Sequence, residues 1–253
     1  MISERQVAKS FDDLWRNATP LLRPNFVAMF NTAYREPLLD TDGGEVPPVE
    51  SVPGNNPSVV AELGFIIASK QVEEGVSNTN VRAATNAATN IVEKCKQKAS
   101  ERISKYNDVQ AEAITISEGE LEEAFNIAFR YELLLGQDAN DVNFLPLIPG
   151  AGIVNTCEAD LATDDCLWEV KAVRRNIGGK DIRQLLVYLA LNSASGEHNW
   201  THAGIFNPRL SQFYKFEIEH FIGMLSGGKS SGDVFHEMIS YFSSREIQID
   251  TKF

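Results

Sequence analysis

The stretch Cys157-Glu158-Ala159-Asp160-Leu161-Ala162-Thr163-Asp164-Asp165-Cys166-Leu167-Trp168-Glu169-Val170-Lys171-Ala172-Val173 decides how this chain is read. Two short apolar runs, each carrying an acid, flank Asp164-Asp165, and a tight turn at that pair folds them into neighbouring strands. Leu167, Glu169, Lys171 and Val173 alternate with Trp168, Val170 and Ala172. That is the period of two that a strand requires, so Glu169 and Lys171 project from one face. Both carboxylates, Asp160 and Glu169, then reach one edge of a sheet, where their hard oxygens suit a divalent cation. Arg174, Arg175, Gly178 and Gly179 follow, and the apolar spacing of the next residues predicts a helix from Lys180 to Ser193. Lys180, Gln184 and Tyr188, each four apart, lie in one row along it.

Together Asp160, the Glu169-x-Lys171 pair and the Gln184-x-x-x-Tyr188 helix resemble the active site of the PD-(D/E)XK nuclease superfamily, in its RecB-like branch. The resemblance implies an α/β fold with an αβββαβ restriction-endonuclease-like core and a small mixed sheet, beside a helical N-terminal region and C-terminal helices. It implies Mg2+ (or Mn2+) held by Asp160, Glu169, the Val170 carbonyl and an acid from a helix preceding the sheet. Two helical segments offer that acid, Glu62 and Glu123. Glu62 is the expected one, because the long helical segment after it resembles an insertion that RecB-like relatives tolerate. Lys171 takes the place of the lysine that positions or activates the attacking water, and Gln184 and Tyr188 that of the pair approaching the substrate phosphates. The implied activity is metal-dependent hydrolysis of DNA phosphodiester bonds in prokaryotic defence, restriction or repair. DNA is the expected partner, with a protein subunit or a second copy of the chain beside it. The alternative from another class is a catalytically silent subunit of this fold, used for binding or assembly.

The chain also contains decoys. Asp250-Thr251-Lys252 fits the same acid-x-Lys pattern with no strand after it. Gly223-Met-Leu-Ser-Gly-Gly228-Lys229-Ser230 matches the phosphate-binding loop pattern, but too little chain follows for the strands such a fold needs, so it is read as a turn between two helices. His198 and His202 lack metalloprotease order and read as loop residues. Cys95, Cys157 and Cys166 are odd in number and lack zinc spacing, so they read as reduced thiols that cannot hold a four-thiolate cluster.

At 253 residues and 43% hydrophobic, the chain can bury a sizeable core. The N-terminus is too polar for a signal peptide, and the longest apolar run, Leu185 to Leu191, is too short to span a bilayer, so a cytoplasmic protein without a membrane role is expected. A net charge of −12 argues against general affinity for nucleic acid. Locally, Lys171, Arg174, Arg175, Lys180 and Arg183 gather with Asp181 as the only acid among them, which suggests a basic rim beside the acids.

The expected division is residues 1–56, a helical extension ending in a Pro/Gly-rich loop, and 57–253, the nuclease-like domain with a helical insertion over about 75–115. Helices are expected over Val7 to Trp15, Leu21 to Tyr34, Ser58 to Gln71, Asn78 to Tyr106 and from the capping box Ser117/Glu120 to Leu135. Pro37 to Pro57 reads as a mobile loop or lid. Strands are expected over Phe144 to Ile148, Gly152 to Thr156, Glu158 to Thr163, Cys166 to Val173, Thr201 to Phe206 and Phe213 to Ile218.

Overall fold

The computed structural model describes residues 1–51, 56–77, 93–99, 101, 116–136 and 141–250, without the side chains of 246–250. The chain is mixed α/β, and its contacts group it into two units, Met1–Glu36 with Asn140–Phe206 and Phe213–Phe253, and Pro37–Ala139 with Asn207–Gln212. These boundaries differ from the 1–56 and 57–253 division for a physical reason. Val7, Leu14, Trp15, Leu22 and Phe30 share one buried cluster with Leu167, Ile182, Leu185 and Tyr214, so the N-terminal helices are part of the sheet's own core.

The first unit opens with α1 (Glu4–Lys9), α2 (Asp12–Ala18) and α3 (Pro24–Ala33), followed by the short β1 (Arg35–Pro37). A six-stranded mixed sheet has the order β1-β8-β7-β6-β5-β2, built from β2 (Asn143–Phe144), β5 (Leu161–Thr163), β6 (Cys166–Val170), β7 (His202–Asn207) and β8 (Gln212–Glu217). A two-stranded sheet joins β3 (Leu147–Ile148) and β4 (Cys157–Glu158). The expected turn at Asp164-Asp165 makes β5 and β6 antiparallel, with Thr163 opposite Cys166. β6 then runs parallel to β7, Glu169 facing Ile205 and Val170 facing Phe206. The crossover that a parallel pair requires is α6 (Gly179–Ser195). Trp168 lies across β7 where Gly204 leaves room, since a Cβ there would stand 2.3 Å from the indole ring. After β8 come α7 (Ile218–Ser226) and α8 (Ser231–Asp250).

Three expected strands change form, and the changes build the site. Phe144 to Ile148 breaks at Leu145, whose φ of 59° is left-handed, just before Pro146, which has no N–H to offer a ladder. Glu158 to Thr163 breaks opposite it, where the Leu145 N–H donates to the Asp160 carbonyl and the Ala159 N–H to that of Pro146, both at 3.0 Å. The two chains thus kink together between the small sheet and the large one, and Asp160 stands at the corner. Gly152 to Thr156 forms no strand. Gly152 adopts φ +56°, and a Cβ there would stand 2.4 Å from the Phe242 backbone, so the chain turns beneath α8. The turned segment holds the N-terminus, since the Ile2 N–H donates to the Ile153 carbonyl at 2.8 Å and the Asn155 N–H to that of Ile2 at 3.0 Å.

In the second unit α4 (Pro57–Glu74) packs on α5 (Glu118–Leu135), which opens with the expected Ser117/Glu120 capping box. Of the segment read as a mobile loop or lid, residues 52–55 lie outside the described residues, and in the rest Leu38 and Val49 are buried, their N–H groups donating to the carbonyls of Ser211 and Arg209. Most of the helix expected over Asn78 to Tyr106 lies outside the described residues, of which 93–99 are helical. Among the described residues no helix is long and apolar enough to cross a membrane.

Candidate functional site

β6 ends on a polar note. Leu167 is buried in the core that the sheet shares with α6, and two residues on, from the same face, Glu169 is only 1% exposed. Its Oε1 accepts from the Lys171 ammonium, which also donates to Gln184 Oε1 at 2.9 Å. Its Oε2 is buried without a hydrogen-bond partner. Such an atom costs on the order of 1–3 kcal/mol unless something else meets it. Asp160 comes in from the corner before β5, and its Oδ2 accepts from the Val170 N–H at 2.7 Å. The expected hairpin therefore does join Asp160, Glu169, Val170 and Lys171, with the Lys171 N–H bound to the Phe206 carbonyl at 2.8 Å as an extra tie to β7.

The Gln184/Tyr188 row of α6 closes the other side. Gln184 Nε2 donates to the Tyr188 hydroxyl at 3.1 Å, and that hydroxyl lies 3.4 Å from the Glu158 carbonyl. Both side chains are buried, Tyr188 at 1% exposure, so its hydroxyl serves the row from within.

Glu62 lies on α4 and Glu123 on α5, in the second unit, and Glu123 is ion-paired with Arg209. Within the first unit a helix acid not singled out from the sequence meets this row. Glu4 of α1 is the acid in contact, its Oε1 lying 3.5 Å from Gln184 Nε2, from the Tyr188 hydroxyl and from Arg5 Nε. Ser3 and Gln6 form a capping box that starts α1 at this point, and the Ile2 backbone bonds hold it there. The Ser-x-x-Gln signature was visible in the sequence. The docking of Ile2 on residues 153–155 was not.

Charge at the site follows from burial. It pushes the Glu169 carboxyl up to about 8, with Lys171 working against the rise and Asp160 adding to it. Burial would lower the Lys171 ammonium, but Glu169 and Asp160 hold it above its ordinary value. Arg5, likewise disfavoured by burial, is raised by Asp160, Tyr188, Glu169 and Glu4. The Tyr188 phenol is pushed well up, by burial first and then by the same acids.

Among the described residues no three His, Cys, Asp or Glu side chains form a group able to hold a metal by themselves. Two carboxylates, one with a buried oxygen lacking a partner, suit Mg2+ or Mn2+ better than zinc, because magnesium retains waters and takes one or two carboxylates together with substrate phosphates.

The basic cluster divides. Arg174 and Lys180 are exposed, as a rim requires. Arg175 binds Asp181 through two nitrogens at 2.6 and 3.0 Å, and Asp181 in turn accepts from the Gly178 N–H at 2.8 Å, so this pair caps α6. Arg183 is half-buried over the Trp15 ring at 5.2 Å, and burial lowers its pKa. The look-alike phosphate-binding loop is the expected turn between two helices. Gly227 and Gly228 turn α7 into α8, where the Ser231 N–H meets the Glu219 carboxylate and Ser230 bonds Asp233, leaving acids where a phosphate would need donors. Asp250 ends a helix, while Thr251 and Lys252 lie outside the described residues. His198 is the expected loop residue and stacks on Trp200, whereas His202 opens β7, its Nδ1 2.8 Å from Asp165 Oδ2. Cys95, Cys157 and Cys166 are buried free thiols, burial pushing Cys95 to about 11 and Cys157 to about 12.

Comparison with protein-family models, curated proteins and solved structures found no match for this chain.

Proposed function

We propose that the chain is a metal-dependent phosphodiesterase acting on DNA, with a restriction-endonuclease-like core of the PD-(D/E)XK, RecB-like type and its chemistry centred on Asp160, Glu169 and Lys171. The observation that carries the reading is Glu169, a carboxylate 1% exposed whose Oε2 has no hydrogen-bond partner while Lys171 binds its Oε1. A buried acid with one oxygen paired and the other bare is costly as a structural element and is what a cation ligand requires before its ion arrives.

Asp160 and Glu169 would hold Mg2+ or Mn2+, with the Val170 carbonyl and Glu4 as the further oxygens available nearby. Bound there, the ion would neutralise phosphate charge and lower the pKa of its water. The chain's own groups do the rest. The Val170 N–H fixes the Asp160 carboxylate. Gln184 accepts from Lys171 and is itself bound to Tyr188. With Glu169 engaged by a cation, the Lys171 ammonium would be available to orient a water or meet a phosphate oxygen. Arg174 and Lys180 supply exposed positive charge on the same connection.

A second reading, a catalytically silent member of this fold used for binding or assembly, is favoured by the net charge of −12 and by the Lys171 bridge, which already satisfies half of Glu169. Titrating Mn2+ into the protein, with cleavage of linear, nicked and single-stranded DNA followed in parallel, separates the two. Metal-dependent cleavage that disappears in Glu169→Gln supports the phosphodiesterase, and cleavage undiminished in that variant refutes the assignment.

A further inference from the structure

The proposed site contains a cation that the metal-and-lysine chemistry does not use. Arg5 leaves α1 next to Glu4, with Nε 3.5 Å from Glu4 Oε1 and its side chain 53% exposed. Adjacent residues on a helix do not face each other, so a Glu4–Arg5 pair has no reason of its own to form. The contact sets the guanidinium beside the Gln184/Tyr188 row, since the same Glu4 Oε1 lies 3.5 Å from Gln184 Nε2 and from the Tyr188 hydroxyl. Asp160, Tyr188, Glu169 and Glu4 all favour the guanidinium's positive charge. The guanidinium therefore stands at the edge of the site, beside the helix acid that meets the Gln184/Tyr188 row.

From this position, we infer that Arg5 is a substrate-binding residue of the site, its guanidinium receiving a non-bridging phosphate oxygen of a nucleic-acid strand. The inference rests on the phosphodiesterase reading above for the place of the substrate. With Asp160 and Glu169 occupied by a cation, the acids would hold the guanidinium less, and the long, half-exposed side chain would be able to reach a phosphate brought to the site. Guanidinium geometry suits this, since its donors form a planar fork that matches phosphate oxygens, which a lysine does not reproduce. An acidic protein needs such a contact more than a basic one, because its general field repels the strand.

The test compares wild type, Arg5→Ala, Arg5→Lys and, as a control on the neighbouring helix, Arg16→Ala. Binding of a fluorescent single-stranded and a duplex oligonucleotide is measured in Ca2+, cleavage in Mg2+ and Mn2+, and Mn2+ affinity by calorimetry without DNA. Arg5→Ala is expected to weaken oligonucleotide binding and lower kcat/KM roughly ten- to a hundredfold, the worth of a hydrogen bond to a charged group. Arg5→Lys should recover part of the loss and Arg16→Ala should change nothing. Mn2+ affinity should stay level or rise in Arg5→Ala, because removing a cation beside the acids cannot repel another. Unchanged DNA affinity in Arg5→Ala, or a parallel loss of Mn2+ affinity marking a residue that only supports the acids, overturns the inference. A wild-type protein that binds DNA without cutting it overturns the phosphodiesterase reading alone, and Arg5 is then judged by the binding ratio. One that neither binds nor cuts overturns both.

Discussion

Glu169→Gln should make the metal-free protein more stable, and by an amount that depends on pH. Burial raises the Glu169 carboxyl from its ordinary 4.5 to about 8 in the folded chain, so between those values the folded state holds a proton that the unfolded state has released. Stability from this group is therefore complete below about pH 4.5, declines as pH rises and is gone above about 8. At about 1.4 kcal/mol for each pH unit, the full decline is on the order of 5 kcal/mol, and by pH 7 about 3 kcal/mol of it has been lost. Glutamine resembles the neutral acid, keeps an acceptor for Lys171 and does not titrate. Urea unfolding of both proteins at pH 5, 7 and 8.5 should give curves that lie together at pH 5 and separate progressively above it, with wild type the weaker. The 5 kcal/mol is an upper figure, because local relaxation and water entry reduce the cost of burying a charge. Adding Mn2+ at pH 8.5 should restore wild type and leave Glu169→Gln unmoved. A constant difference between the two proteins across this pH range would refute the reasoning, since it would mean that Glu169 is not buried against its own charge.

Tyr188→Phe keeps the buried ring and deletes the hydroxyl that receives Gln184 Nε2, so it should cost about 1 kcal/mol of stability in urea and lower turnover through a looser Gln184–Lys171 contact, whereas unchanged values for both would make the row mere packing. Asp181→Ala removes the cap of α6 and the partner of Arg175 and should cost roughly 1–2 kcal/mol at pH 7. Burial works against the Asp181 carboxyl, but Arg175 and the Gly178 N–H hold it below its ordinary value, so its contribution is present above about pH 4 and is lost as pH falls; an acid limb of the stability profile that stays as steep in the variant would contradict this. Gly152→Ala places a Cβ 2.4 Å from the Phe242 backbone at a positive φ and should destabilise by roughly 2–4 kcal/mol, read as a lower urea midpoint, and it should loosen the seat of Ile2 and with it α1.

How far the sequence could be read depended on the distance over which each feature is determined. The Asp164-Asp165 turn, the alternation through Glu169 and the helix carrying Gln184 and Tyr188 are set by turn chemistry and periodicity within about 10 residues of chain, and all three are present. The corner at Asp160 was not legible, because it depends on a matching break at Leu145-Pro146 in a strand read as continuous. Glu123 drew attention through the strong helical pattern around it, yet its carboxylate is taken up by Arg209. Glu4 was missed because nothing local marks it beyond a capping box. Its position comes from a backbone bond across some 150 residues of chain, Ile2 to Ile153. In the same way the prolines and glycines after Pro37 suggested motion, whereas Leu38 and Val49, in the described part of that segment, are buried.

The two function classes differ in what they ask of one face of β6. A fold kept only for binding or assembly would gain by continuing Leu167 with an apolar side chain at 169, since replacing a buried ion pair by well-packed apolar groups is commonly neutral or stabilising. This chain instead places an acid there at 1% exposure, brings Asp160 beside it by kinking two strands, and adds Lys171 and a buried glutamine around the pair. Each step adds desolvation or like-charge repulsion, and no hydrogen bond satisfies Glu169 Oε2 in return. The repulsion is confined to one corner, while the apolar core of the same unit, from Leu167 through Ile182 and Leu185 to Phe242, supplies the stability to tolerate it. Concentrated electrostatic cost beside a well-packed core is the arrangement that cation binding would relieve, and it is the physical ground for preferring the catalytic reading to the silent one.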